Sequence, residues 1–152
     1  MATTGTEQRT LTVREITVAD ATAVAELSCQ LGYDSTADEM KQRIEGVLPL
    51  PPGHAIFVAC LGDEVVGWGE TEIVRHIQTP PHALLTGLVV KDGVRSMGVG
   101  SRLCAEIEAW AGQQGVAVVR VTSRMTRERA HRFYLREGYT LTKTSAVFEK
   151  PL

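Results

Sequence analysis

Arg95, Gly98 and Gly100 stand close together in the run LVVKDGVRSMGVGSRL, residues 88–103. An apolar stretch ends at Val90, a loop follows, and an apolar helical pattern starts at Val99. Glycine lets backbone N–H groups approach a ligand where a Cβ would stand in the way. The first turn of a helix adds unpaired N–H groups and the positive end of its dipole. With the Arg95 guanidinium these features make a cradle for a phosphate-type anion. The pattern is not a Walker loop, because Gly100 is followed by Ser101 and Arg102 instead of Lys and a hydroxyl residue. It is not a dinucleotide fingerprint either, which needs three glycines and an acid further along. A glycine-rich turn without a ligand is the plainer alternative. Two further groups of residues carry chemistry. Glu70 and Glu72, at i and i+2, share one face of a strand. Arg127, Ala130 and Tyr134, at i, i+3 and i+7, share one face of a helix.

The elements that hold these residues follow from periodicity and caps. Residues 10–16 alternate as a strand, and Asp20 caps a helix closed by Gly32. Ser35 with Asp38 opens a second helix to about Val47. Strands are expected over 54–61 and 64–73, joined by a turn at Gly62-Asp63. A loop carrying Pro80-Pro81 precedes a buried strand over 83–90. A helix over 99–114 presents Val99, Leu103, Ile107, Trp110 and Ala111 on one face. A strand over 116–122, a helix over 126–137 and a closing strand or hairpin over 139–149 complete the chain. Mixed order with a βαβ crossover predicts an α/β fold around a mixed sheet.

Composition narrows the class. The chain has 152 residues, 43% hydrophobic and 22% charged, which predicts one soluble globular domain over 10–152. Residues 1–9 have no apolar run and read as a disordered lead-in, with no signal peptide. No apolar stretch is long enough to span a bilayer. Cys29, Cys60 and Cys104 are odd in number and widely spaced, so they predict buried thiols in a reducing cytoplasm, with no disulfide framework and no metal site. The net charge of −2 argues against nucleic-acid binding. The charge is divided, with −7 on residues 1–75 and +5 on 76–152. Such a split suits a polyanionic ligand on the second half and a cationic one near the first, or merely decorated helices.

Arg95-x-x-Gly98-x-Gly100 after the LVV strand resembles the acetyl-coenzyme A pyrophosphate loop of the GNAT superfamily of N-acetyltransferases. ERAHRFYLREGY, residues 128–139, resembles that superfamily's Ala-x-x-Phe-Tyr-x-x-x-Gly-Tyr segment, matched at Ala130, Phe133, Tyr134, Gly138 and Tyr139. The resemblance covers residues 10–150. It implies a mixed central sheet flanked by helices, in which two parallel strands, 83–90 and 116–122, splay apart to form the cofactor cleft. Pantetheine would then pair with the backbone of Leu88, Val89 and Val90. The loop residues Arg95, Ser96, Met97, Gly98, Val99, Gly100 and Ser101 would hold the pyrophosphate, with Phe133 also at the cofactor. There are three departures from the family pattern. Thr86-Gly87 replaces an acid or polar pair before the LVV strand, which removes one common place for a catalytic base. Arg127 stands where Asn is frequent, and Ser96 where Gly is.

Acetyl transfer from a thioester to an amine needs a deprotonated amine, a stabilised oxyanion and a proton for the thiolate. The resemblance makes Tyr134 the acid candidate, against a core aromatic whose hydroxyl is tied to backbone. Glu70 and Glu72 are the base candidates, and they read equally as solvated carboxylates. His76 and His82, flanking the proline loop, are weaker candidates, and Cys104 weaker still. Arg129, Arg132 and Arg136 read first as a solvated stripe, and otherwise as contacts to the nucleotide 3′-phosphate. The acceptor side would be walled by Asp20, Glu26, Asp34, Asp38, Glu39 and Glu45. That acidity suits a cationic amine, whether an aminoglycoside, a polyamine or a lysine side chain, and it suits an ordinary surface equally well. The acceptor is expected to be an amine on a small molecule. A protein lysine or N-terminus, or a non-catalytic acyl-coenzyme A sensor, are the other readings, and a homodimer is left open.

Overall fold

In the computed structural model residues 9–152 are described, and the lead-in expected over residues 1–9 lies outside them apart from Arg9. Among the described residues, contacts gather into one unit ending at Thr122 and another running Ser123–Leu152. The first unit holds a sheet of five strands in chain order: β1 (Leu11–Glu15), β2 (His54–Leu61), β3 (Glu64–His76), β4 (Thr79–Val90) and β5 (Val119–Val121). Each neighbouring pair from β1 to β4 is antiparallel, and β5 joins β4 in parallel. The sheet is therefore mixed, as expected. Three helices pack with it: α1 (Ala21–Cys29), α2 (Ala37–Val47) and α3 (Val99–Gln113).

The two faces of β3 explain how the helices are placed. The Gly67-Trp68-Gly69 run turns both glycines toward α3. A Cβ at Gly67 would meet the Val89 carbonyl oxygen at 2.9 Å and Val99 at 3.1 Å. One at Gly69 would meet Ile107 at 2.9 Å. Without side chains there, Val99, Leu103 and Ile107 reach full burial against the sheet. The opposite face of the sheet carries Ile56, Val58 and Cys60, packed with Ala21 and Val24 of α1 and Ile44 of α2. Trp68 joins that cluster.

Several boundaries differ from the sequence expectation, each for a local reason. α2 is capped by Thr36, whose hydroxyl accepts from the Glu39 N–H at 3.1 Å, so Ser35 and Asp38 are not the capping pair. The Asp20 side chain makes no cap bond to α1. Its carboxylate instead accepts from both guanidinium nitrogens of Arg14 at 2.8 Å and from the Thr17 N–H at 2.8 Å. Pro80 and Pro81 lie within β4 and not in a loop. They fall beside the irregular register between Val74 and His76, where a missing N–H is tolerated. Cys60 and Cys104 are buried as expected, but Cys29 is exposed near the end of α1.

In the second unit, α4 (Glu128–Arg136) is the one regular element among the described residues. The strand or hairpin expected over 139–149 is absent there. Its alternation is present, but a strand forms only by pairing with a neighbour, and the structure assigns it none. Leu141, Val147 and Phe148 are exposed in consequence.

Candidate functional site

β4 has a β3 neighbour from Thr79 to Val90, but its β5 neighbour only from Ala83 to Leu85. Beyond Leu85 the second edge of β4 has no strand partner among the described residues. The parallel pairing therefore ends at Leu85, on the strand where the resemblance places the splay. The strand over 116–122 is shorter than expected, at Val119–Val121. Leu88, Val89 and Val90 lie on the stretch of β4 beyond the last β5 pair.

The chain then turns through a short 3₁₀ segment, Arg95–Met97, into α3. Gly98 is the N-cap of α3 with φ +77°, a left-handed conformation that side chains disfavour. The Arg102 N–H already bonds to the Gly98 carbonyl at 3.0 Å. The N–H groups of Val99, Gly100 and Ser101 precede that bond, in the first turn of the helix. Arg95, Ser96, Met97 and Gly98 are exposed, while Val99 and Gly100 are buried against the sheet. Arg95 is paired with Asp92 at 2.8 Å, so an anion entering the loop competes with that carboxylate.

Gln30, past the end of α1, was not singled out by the sequence. Its side chain donates to the Val90 carbonyl at 2.8 Å and accepts from the Asp92 N–H at 2.9 Å. One carboxamide thus ties α1 to the point where β4 becomes the loop. No sequence signal identifies it, because the pairing spans about sixty residues of chain.

Glu70 sits opposite Gly87, just past the last β5 pair. Gly87 belongs to the Thr86-Gly87 pair that departs from the family pattern. A Cβ there would meet the Trp68 ring at 2.6 Å, so the indole lies over the glycine and excludes a side chain. The nearest carboxylate by register is then Glu70, one strand away. Its Oε2 lies 2.6 Å from His54 Nε2. Glu72 is exposed, opposite His54 on β2 and Leu84 on β4. His76 ends β3 and is exposed, whereas His82 is buried inside β4 and does not flank a loop. Cys104 is buried on the sheet-facing side of α3. No signal along the chain identifies His54 either, since the β2–β3 register is what brings it to Glu70.

The acids of the first half are not one wall. Asp20 is 5% exposed. Burial pushes its carboxyl up, but the Arg14 and Thr17 bonds outweigh that and hold it below its ordinary value. Glu39 pairs with Arg43 and Glu45 with Lys41 along α2. Glu26, Asp34 and Asp38 remain exposed. Glu64 binds Lys91 and Arg9, and both hold its carboxyl below the usual range.

In the second unit, Tyr134 is half-buried between Phe133 and Tyr139, with ring centroids at 5.3 and 5.7 Å. α4 ends in a Schellman motif. The Tyr139 N–H bonds to the Tyr134 carbonyl at 2.9 Å and the Gly138 N–H to that of Leu135 at 3.2 Å, with Gly138 at φ +95°. The Tyr-x-x-x-Gly-Tyr spacing is thus the signature of a helix stop whose flanking aromatics touch. Arg129, Arg132 and Arg136 are exposed, and the Arg136 guanidinium lies 5.7 Å from the centroid of the Phe133 ring.

The model of the acetyltransferase (GNAT) family matches residues 21–139. The chain is 32% identical over 146 residues to the aminoglycoside N(6′)-acetyltransferase type 1 of Stenotrophomonas maltophilia, covering 93% of this chain and 94% of that protein. It is 32% identical over 136 residues to the aminoalkylphosphonate N-acetyltransferase of Salmonella typhimurium, covering 84% and 83%. Among solved structures, the aminoglycoside N-acetyltransferase AAC(6′)-Iy in complex with CoA has a TM-score of 0.81 at 18% identity, covering 94% of this chain and 96% of that one. AAC(6′)-Ih from Acinetobacter baumannii has a TM-score of 0.79 at 21% identity, covering 94% and 99%. A mixed sheet whose fourth strand runs through a glycine-opened turn into a helix is the architecture of an N-acetyltransferase. The chain belongs to the GNAT acetyltransferase family.

Proposed function

We propose that the protein moves an acetyl group from acetyl-coenzyme A to a primary amine of a small polar molecule, by direct attack within a ternary complex. The observation that carries this reading is the open edge of β4 beyond Leu85, continuous with the Gly98-opened turn of α3 and with Glu70 one strand away. In this reading Leu88 to Val90 offer backbone partners to pantetheine. Arg95 to Ser101 hold the pyrophosphate, with Arg95 leaving Asp92 for it. Glu70 takes a proton from the ammonium of the acceptor, with Glu72 as the alternative base. The freed lone pair attacks the thioester carbonyl, an N–C bond forms and the C–S bond breaks. The departing thiolate takes a proton from the Tyr134 phenol, the role its family motif suggests; the nitrogen sheds its second proton as the amide forms, the phenolate regains a proton from solvent, and Phe133 contacts the cofactor. The curated relatives support a small acceptor, since both are named for amine-bearing small molecules. The exposed carboxylates of Glu26, Asp34 and Asp38 favour a cationic one.

The test is coenzyme A thiol release from acetyl-coenzyme A with a panel of amines: aminoglycosides, aminoalkylphosphonates, polyamines and a lysine peptide. Release matched by acetylated small amine is the expected result. Release only with the peptide would move the acceptor to protein. Binding of coenzyme A with no release on any amine would make the protein a sensor.

A further inference from the structure

We infer that His54 is a positioning residue for this reaction, holding the Glu70 carboxylate in the orientation that receives the acceptor's proton. The inference rests on the acetyltransferase reading above and selects Glu70 as its base. His54 is the first residue of β2, where the Pro51-Pro52-Gly53 turn delivers the chain into the sheet. That turn is pinned to β3, since the Ile73 N–H bonds to the Gly53 carbonyl at 2.7 Å. The β2–β3 register sets His54 opposite Glu72, on the face of the sheet that also carries Glu70. The imidazole nevertheless bonds to Glu70 and not to its direct neighbour, with Nε2 at 2.6 Å from Oε2. A carboxylate only accepts, so Nε2 carries the hydrogen and donates it.

The two side chains are 18% and 31% exposed, which shields the bond more than a surface ion pair. Only one carboxylate oxygen is consumed, and among the described residues Oε1 has no hydrogen-bond partner. β2 lies one strand further from the open edge of β4 than β3 does. His54 therefore grips Glu70 from the side away from the splay and leaves Oε1 for the amine. In the proton step the ammonium N–H bond breaks, Oε1 gains the proton, and the Nε2–H bond to Oε2 stays intact. Without His54 the carboxylate would sample several rotamers and face the amine only part of the time. A misplaced catalytic group costs roughly ten- to a hundredfold in rate.

The experiment measures kcat and both KM values in folded wild-type, His54→Ala, His54→Gln, Glu70→Gln and the His54→Ala/Glu70→Gln double variant, using an amine that the wild type acetylates. His54→Ala is expected to lower kcat about ten- to a hundredfold while KM for acetyl-coenzyme A holds. His54→Gln, which keeps an N–H near the Nε2 position, is expected to recover most of the loss. In the Glu70→Gln background, His54→Ala is expected to cost nothing further, because the group it positions is no longer a base. If the alanine variant does not fold, His54→Leu against His54→Gln makes the same comparison. A folded His54→Ala variant with wild-type kcat overturns the inference. So does an equal loss with and without Glu70. Wild-type protein that releases no thiol with any amine removes the acetyltransferase reading itself, a separate outcome from active wild type with an indifferent His54.

Discussion

Tyr134 shows how one side chain answers to two demands. Its ring is part of a Phe133–Tyr134–Tyr139 contact that closes α4, and its phenol is the proposed acid. Tyr134→Phe keeps the ring contacts and deletes the hydroxyl, so the fold should survive. Loss of a general acid costs about 10²–10⁴ in rate, and a thiolate is a good leaving group, so a kcat loss near 10² is expected. KM for acetyl-coenzyme A should hold, because the hydroxyl acts as charge develops on sulfur. Steady-state kinetics where chemistry limits turnover will decide, and full activity would remove Tyr134 from the mechanism. Gly87 carries a different constraint, the Trp68 ring at 2.6 Å from where a Cβ would stand. Gly87→Ala is expected to destabilise by about 1–3 kcal/mol through overpacking. Combining it with Trp68→Leu should recover part of that loss, a non-additivity readable by denaturant unfolding. Equal costs with and without the indole would show that Trp68 does not enforce the glycine. The Thr86-Gly87 departure was legible in the sequence, but its cause was not, since it needs the β3–β4 register. The same holds for His54, whose pairing with Glu70 is written nowhere along the chain.

The elements most legible beforehand were those whose signal is local. α3 follows from its apolar face and the glycine at its start, and β2 from a nearly unbroken apolar run. Elements whose signal is tertiary differ from their local pattern. Pro80 and Pro81 suggested a loop, yet a register irregularity admits them to β4. The alternation over 139–149 suggested a strand, yet a strand requires a neighbour to pair with. No period along the chain marks Gly67 and Gly69, whose missing side chains let α3 approach β3. Gln30 joins α1 to the exit of β4, so Gln30→Ala should loosen the loop that α3 follows. Two hydrogen bonds of about 1 kcal/mol each, weakened by exposure, translate to roughly a tenfold rise in KM for acetyl-coenzyme A. An unchanged KM would limit Gln30 to a structural tie. Arg14 and Asp20 join β1 to the start of α1 in the same manner. The folded carboxyl of Asp20 lies below its ordinary value of 3.8, so the unfolded chain binds the proton more readily. The stability it contributes is therefore present above pH 3.8 and is lost as pH falls through the lower folded value. Asp20→Asn should cost about 2 kcal/mol at neutral pH, the scale of a charged hydrogen bond. It should also flatten the acid side of the stability curve. A variant with the wild-type slope below pH 4 would place that acid sensitivity in other carboxylates.

For the molecule as a whole, the division of charge matters more than its sum. The −7 of residues 1–75 and the +5 of residues 76–152 nearly cancel, so long-range attraction is weak while each half still favours one sign of ligand. A polyanion should then be drawn to the half that contains the Arg95–Gly98 turn, and its binding should be linked to folding. A ligand that binds only the folded state stabilises by about 2.7 kcal/mol at a hundred times its Kd. For a chain of this length each kcal/mol moves Tm by roughly 2–4 °C, so coenzyme A at that excess should raise Tm by about 5–10 °C. Added salt should shrink the shift, because the contacts to phosphate are partly exposed and screened. Gly98→Ala provides the control. At φ +77° the new side chain strains the turn by about 1–2 kcal/mol, so the ligand-free Tm falls first. Among the described residues beyond its chain neighbours, the methyl group would meet no atom within 4 Å, so it stands in the open space proposed for phosphate. The decisive quantity is therefore the ligand-induced difference within each protein, not the absolute Tm. A large shift in the wild type and a small one in Gly98→Ala is the expected pair. The same shift in both would move the phosphate site away from the start of α3, and no shift in either would leave the charge division a matter of solubility alone.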